Sequence, residues 1–282
     1  MAVFSTPLRV LSFLVLSAAL FVGGRAQGQP VHTRTDTIEV DPDVEVELHA
    51  FRGRVEVSTW ERSAVRLHGE IEDTASTADE APSIQVAGED SILTVKPNGK
   101  TMDLDLFTAL GAMTWMRGEP EGPMTVYSVR VPVDASVTLS LDAADAAVSG
   151  VEGDVKIEGV SSSVDVRDVG GRVIAGTLSG PLYAEDVRGK LIMGTAHGDL
   201  QVRLSTLANK LNVDSYTGDA EITLPADAAF NLGTDITWGD GVASDFSIPN
   251  SPIREDGTVP IGGGGPTVFF ESFTGSLTLK AE

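Results

Sequence analysis

Cysteine is absent from all 282 residues. That removes disulfides, thiolate metal ligands, cysteine nucleophiles and lipid attachment to an N-terminal cysteine together. Positive charge is scarce too: 20 Lys and Arg stand against 41 Asp and Glu, a net charge of −21. Phosphate backbones demand clustered Lys and Arg, so no nucleic-acid partner is expected. Aromatic residues make up only 6% of the chain, while glycine contributes 30 residues, which points to many turns and thin layers. Hydrophobic residues reach 41%, enough to bury a core and to exclude global disorder.

Long apolar runs are also missing. Val10 to Val22 is the strongest, and it is too short for a bilayer, which needs roughly 20 residues. It follows a short segment carrying Arg9 and precedes Gly24-Arg25-Ala26, with small residues at −3 and −1 of a cleavage point before Gln27. Residues 1–26 therefore have the form of a secretory signal peptide, and no membrane span is expected after its removal. Export without cysteine suggests a bacterial envelope, so the expected location is periplasmic, cell-surface or extracellular.

Residues 27–36 have the polarity of a flexible linker, and residues 37–282 form one domain. Within 37–133, alternating apolar residues mark short strands, at Ile38 and Val40, at Val44, Val46 and Leu48, and at Val55 and Val57. Trp60 to Ser63 has the character of a turn, and 83–86 with 91–95 that of a hairpin. The insertion at 98–123 departs from this pattern. It holds Leu104, Phe107, Leu110, Met113, Trp115 and Met116 at spacings that suggest a short helix or a loop cap.

A nine-residue repeat occupies 144–224. Anchors fall at Ala144, Gly153, Ser162, Gly171, Gly180, Gly189, Gly198, Asn209 and Gly218, with a single step of eleven. Apolar residues follow two and four places later, as in Val155 and Ile157, Leu182 and Ala184, or Leu200 and Val202. Alternate units match better than adjacent ones: 168–182 aligns with 186–200. The expected fold is therefore all-β, a single-stranded β-solenoid (β-helix) with 18-residue coils of two short strands. Gly-marked corners would tolerate positive φ. Such a stack places Arg167, Glu185 and Arg203 in one column, and Thr177 over Thr195. An antiparallel meander of nine-residue units, the rival, would keep them apart. Closing strands are expected over 225–282.

The repeats Gly-Asp-Val-Lys-Ile (153–157), Ser-Gly-Pro-Leu-Tyr (179–183), His-Gly-Asp-Leu-Gln-Val (197–202) and Thr-Gly-Asp-Ala-Glu-Ile (217–222) carry a family likeness. They resemble an uncharacterised bacterial β-strand-repeat family of adhesin-like proteins, similar to the adhesin-like head domains of Bacteroidetes surface proteins. The likeness extends from Gly53-Arg-Val-Glu-Val-Ser-Thr-Trp60 to Thr274-Gly-Ser-Leu-Thr-Leu279, thus over about 37–282. Arg172 and Lys190 depart from it, where Asp is usual. The resemblance implies an exported or membrane-associated β-solenoid and supplies no catalytic residue.

Little chemistry is legible. Of His32, His49, His68 and His197, only His197 has a carboxylate two places away, at Asp199, and a solvated corner explains that spacing as well as an acid/base pair does. A calcium nonapeptide fails because Arg172, Lys190 and Lys210 occupy the position where Asp145, Asp154, Asp199 and Asp219 would supply ligands. The column Asp165–Tyr183–Gln201–Glu221 leaves a carbohydrate-active parallel β-helix enzyme as the alternative. Gly262 to Gly265 lacks the Lys-Ser/Thr of a phosphate loop and marks a turn. No catalytic residue, metal or cofactor is expected. Phe107, Trp115 and Met116 are the candidate partner-docking residues, although capping the open end of the solenoid is the commoner use of such a segment. The expected function is a non-catalytic surface for adhesion or interaction with an envelope protein or glycan.

Lysine numbers six against 14 Arg, and the excess of carboxylates implies self-repulsion that salt would screen. The melting temperature is expected to rise between about 0.1 M and 1 M NaCl, since the screening length falls from about 10 Å to about 3 Å. Equal melting temperatures at both concentrations would dismiss that idea.

Overall fold

The structure is a computed structural model, and it describes residues 31–72, 84–89, 92–97, 124–249 and 257–282. The signal-peptide segment and the insertion at 98–123, with its expected cap, lie outside the described residues. Those residues are all-β, with no helix among them.

Two long strands set the frame. β2 (Glu45–Trp60) and β7 (Ser136–Ser149) run parallel in register, from Glu45 opposite Ser136 to Val57 opposite Val148. Each serves two columns of strands, one through its first half and one through its second. The first column continues from β7 through β8 (Val155–Ser161), β10 (Val173–Ser179), β12 (Leu191–His197) and β14 (Leu211–Thr217). The second continues through β9 (Val164–Val169), β11 (Leu182–Val187), β13 (Leu200–Arg203) and β15 (Ala220–Leu224). Every pairing in both columns is parallel. Val155 lies opposite Val173 and Val173 opposite Leu191, so partners are 18 residues apart. The single eleven-residue step appears as an offset of 20 between Leu191 and Leu211.

The meander is thereby excluded. Glu185 lies opposite both Arg167 and Arg203, and Thr177 lies opposite Thr195. Alternation along each strand sends one set of side chains inward, and the inward set is the sequence-phased one. Val155, Ile157, Val173, Ala175, Leu191, Met193, Leu211 and Val213 are all buried in one continuous core with Val164, Leu182, Leu200 and Ala220 of the opposite column.

Several boundaries differ from the sequence expectation. The stack starts at Ser136 rather than 144, because Ala135, Val137 and Leu139 form another unit nine residues earlier, resting on β2. β1 (Val31–Glu39) begins inside the expected linker and pairs antiparallel with β3 (Ala64–Glu72). β3 in turn pairs with β6 (Met124–Pro132), which returns parallel to β2. The hairpin forms as β4 (Ile84–Glu89) and β5 (Ile92–Pro97), with β5 on the first half of β2. After β15 the chain makes an excursion through β16 (Phe230–Ile236), β17 (Val242–Ser244) and β18 (Thr258–Ile261). It then rejoins both columns through β19 (Thr267–Ser272) and β20 (Leu277–Ala281).

The corners demand glycine for two reasons, close approach of backbones and, at some anchors, the expected positive φ. A Cβ on Gly189 would stand 2.0 Å from the carbonyl oxygen of Gly171, and one on Gly198 would stand 2.1 Å from that of Gly180. Gly189 does not have positive φ, so close approach of consecutive backbones, not left-handed geometry, excludes a side chain there. Positive φ is found at Gly180 (126°), Gly198 and Gly218 on the opposite corner, and left-handed backbone also at Gly150, Asp168 and Asp186, which are 18 apart. Asp occupies that region at less cost than most side chains.

Where an Asp follows the corner anchor, it has its own role. Asp154 Oδ1 accepts the N–H of Arg172 at 2.8 Å, and Asp145 Oδ1 accepts that of Ser163 at 3.0 Å. Asp199 Oδ1 accepts the N–H of Asp219 at 3.1 Å. Each carboxylate thus satisfies a main-chain donor one turn higher, where the strand ladder has ended. That use explains the Gly-Asp repeat without calcium.

Two glycines of one strand-and-corner unit make a controlled comparison. Gly189→Ala should destabilise by on the order of 1–3 kcal/mol, at the upper end of that range because the obstacle is backbone. Gly194→Ala should change stability by less than about 1 kcal/mol, since its Cβ would find nothing nearer than 3.7 Å. Urea unfolding checks both, and equal effects would refute the close-approach account.

Candidate functional site

Phe107, Trp115 and Met116 lie outside the described residues. His197 and Asp199 are described, and they do not form a pair. His197 Nδ1 bonds the Thr217 hydroxyl at 2.7 Å, while Asp199 is occupied by the N–H of Asp219. His68 meets the Thr35 hydroxyl at 2.8 Å and Glu70 at 3.5 Å. Among the described residues no group of three or more His, Asp or Glu is placed to hold a metal ion.

The outward column Asp165–Tyr183–Gln201–Glu221 forms as the repeat dictates. Its carboxylates are engaged. Arg167 grips Asp165 through two bonds of 2.8 and 2.9 Å, reaches Glu185 at 3.0 Å, and lies 4.7 Å over the Tyr183 ring. The Tyr183 hydroxyl donates to Glu185 at 3.0 Å, and Lys280 meets Glu221 at 2.7 Å. The bond to Asp165, first of all, pushes the Arg167 pKa up. A glycosidase carboxylate needs freedom to protonate or attack, and these are held as counter-ions.

A second outward column is less comfortable. Asp214 lies opposite Glu271, and Glu271 opposite Asp235, so three carboxylates stand in register across β14, β19 and β16. Burial pushes Asp214 up to about 6, the neighbouring Glu271 adds to the rise, and Lys210 opposes it. Like charges directly opposite on a sheet are destabilising.

The feature that sequence reasoning missed is at the glycine corner of the last turns. Gly218 packs under Gly275, and Gly275 under Gly239, each so close that a Cβ would meet the next backbone oxygen at 2.0 and 2.1 Å. Around them Asp219, Trp238, Gly239, Asp240, Thr274, Gly275 and Ser276 line an open groove of about 410 Å³. The chain pulls these segments together through Thr274 N–H to Tyr216 O at 3.1 Å and Trp238 N–H to Phe273 O at 2.7 Å. Trp238 is 69% exposed. Beside the groove, Tyr216 and Phe273 stack at 4.9 Å with their rings 1° from parallel, and His197 meets Tyr216 edge-on at 6.3 Å. Asp219 accepts the Ser276 hydroxyl at 2.7 Å and its N–H at 2.9 Å, which hold its pKa below the usual carboxylate range. A local signal existed: an aromatic residue precedes Thr-Gly at both Tyr216 and Phe273.

Comparison with known proteins agrees with the repeat. Residues 122–250 match the family model Toastrack DUF4097, so the resemblance read from the Gly-Asp units holds over that stretch. Two solved structures are similar to the chain. A putative cell adhesion protein from Clostridium sporogenes is 12% identical with a TM-score of 0.41, covering 89% of this chain and 100% of that one. A putative adhesin from Bacteroides fragilis is 11% identical with a TM-score of 0.43, covering 89% and 97%. No curated protein matches the chain.

The Asp214 environment predicts a pH effect of definite sign. Its folded pKa is raised, so its stabilising contribution is complete below the unfolded value near 3.8 and disappears as pH rises through about 6. Asp214→Asn should therefore be more stable than the wild type at pH 8, by about 1 kcal/mol after allowing for solvent screening, and the gap should close by pH 4. Denaturant melts of both proteins at the two pH values check this, and a gap unchanged with pH would contradict it.

Proposed function

We propose, for a chain whose residues 122–250 match the Toastrack DUF4097 family, a non-catalytic, exported envelope protein that presents a rigid β-solenoid surface for adhesion or for binding an envelope protein or glycan. The observation that carries this reading is the fixed 18-residue register of two parallel columns. It converts the sequence repeat into straight outward rows of side chains whose positions do not depend on loop conformation. Rigid rows lose little entropy on binding, which is what a docking surface requires.

Export rests on the leader at residues 1–26 and on the acidic, cysteine-free composition. The outward Asp165, Glu185 and Glu221 are neutralised by Arg167 and Lys280, which favours a surface role over hydrolysis.

Expression of the full chain in a bacterial host should yield a protein that starts at Gln27 by mass spectrometry and fractionates outside the cytoplasm. Cross-linking the purified protein to intact envelopes should recover a defined protein or glycan adduct. Retention of the leader, or the absence of any adduct, would count against the reading. Turnover of a polysaccharide panel would replace it with an enzymatic one.

A further inference from the structure

The corner ladder follows a rule that one residue breaks. Immediately before the corner anchors Ser162, Gly180, Gly198 and Gly218 the successive turns carry Ser161, Ser179, His197 and Thr217, in register with one another. Thr274 holds the same place before Gly275, one turn further on. These are small or polar side chains suited to a solvated corner. The last turn places Trp238 there. An indole at this position packs into no core, and its 69% exposure leaves a large apolar face in water. With Tyr216 (53% exposed) and Phe273 (39% exposed) on the turns below, it adds to an aromatic surface at this corner.

What surrounds the indole specifies the ligand chemistry. Gly239 and Gly275 are among the lining residues and add no side chain to the groove. Thr274 and Ser276 contribute hydroxyls, Asp219 and Asp240 contribute carboxylates, and among the described residues neither Lys nor Arg lines it. An aromatic face beside hydroxyl and carboxylate acceptors suits a pyranose ring, which has an apolar C–H face and a rim of O–H donors. The two carboxylates repel uronic and sulfated sugars. A volume of about 410 Å³ falls within the range of small-ligand sites, and the open side lets a chain continue past it.

Resting on the surface-presentation reading above, we propose that the groove between Trp238, Asp240 and Ser276 binds a neutral or N-acetylated glycan, with one pyranose ring stacked on the Trp238 indole. Asp240 accepts hydroxyl hydrogen bonds from that ring. Ser276 Oγ accepts another while its O–H stays donated to Asp219. The Tyr216–Phe273 stack, reached across Phe273-Thr274, offers a second apolar step to a longer chain.

The test is isothermal titration of the mature chain with cellohexaose, chitohexaose and, as an acidic probe, a galacturonate hexamer. At least one of the two uncharged hexamers should bind, and the acidic one should not. Trp238→Ala should weaken that binding at least tenfold. Asp240→Lys should weaken it too, and should allow the galacturonate hexamer to bind. Arg54→Ala, near the opposite end of the stack, should leave it unchanged, and circular dichroism should report the same fold for all variants. Failure of both uncharged hexamers to bind, or binding by Trp238→Ala equal to the wild type, overturns the groove assignment. The broader reading is judged separately by cross-linking the wild-type protein to envelopes: an adduct formed by protein that binds neither uncharged hexamer in titration overturns the glycan site and leaves surface presentation intact.

Discussion

Consecutive turns of this chain touch backbone to backbone at their corners, and that contact governs the rest. Gly189 over Gly171 and Gly198 over Gly180 leave no room for even a methyl group. Only at that separation can the parallel ladders on both columns hydrogen-bond from one turn to the next. The glycine anchors therefore set the pitch of the stack, and the pitch sets the register. Register then decides which side chains face the core, because a slip of one residue would reverse every strand.

Once the register is set, polar satisfaction follows the same geometry. Strand ladders end at the corners and leave main-chain donors exposed there. The Asp after the glycine reaches up one turn to accept such a donor, as Asp154 does for Arg172. Where the turn above carries Pro181, there is no N–H to satisfy, and the position beneath is Ser163. The outward charges obey a related economy. Arg167 between Asp165 and Glu185 balances its column, whereas Asp214, Glu271 and Asp235 have no such partner between them. Exposed pairs of this kind contribute little to stability individually. Their effect is to define the surface that a ligand would meet.

The strands that break the nine-residue rhythm are where the two ends of the stack are shaped. At one end β1, β3 and β4 pair antiparallel, so the column does not finish on a bare parallel edge of the β2 and β7 frame. At the other end β16, β17 and β18 extend the columns beyond β19 and β20. The same excursion carries Trp238 to the top of the glycine ladder. Shape at the C-terminal end and the candidate binding groove thus arise from one departure from the repeat.

The period of the apolar residues was enough to determine an all-β stack, the 18-residue register and the inward-facing residues of 144–224, because strand alternation and turn stacking are local and repetitive. The leading unit at Ala135, Val137 and Leu139 carried the same period and was equally legible. Tertiary structure alone decided that β2 and β7 share one frame across an offset of 91 residues, as at Val46 and Val137, and that β19 stacks on β14 across 57, as at Leu211 and Val268. It also decided that Tyr216, Trp238 and Phe273 meet at one corner. No pattern within a short window encodes such contacts, since they depend on where a non-repeating excursion returns to the stack.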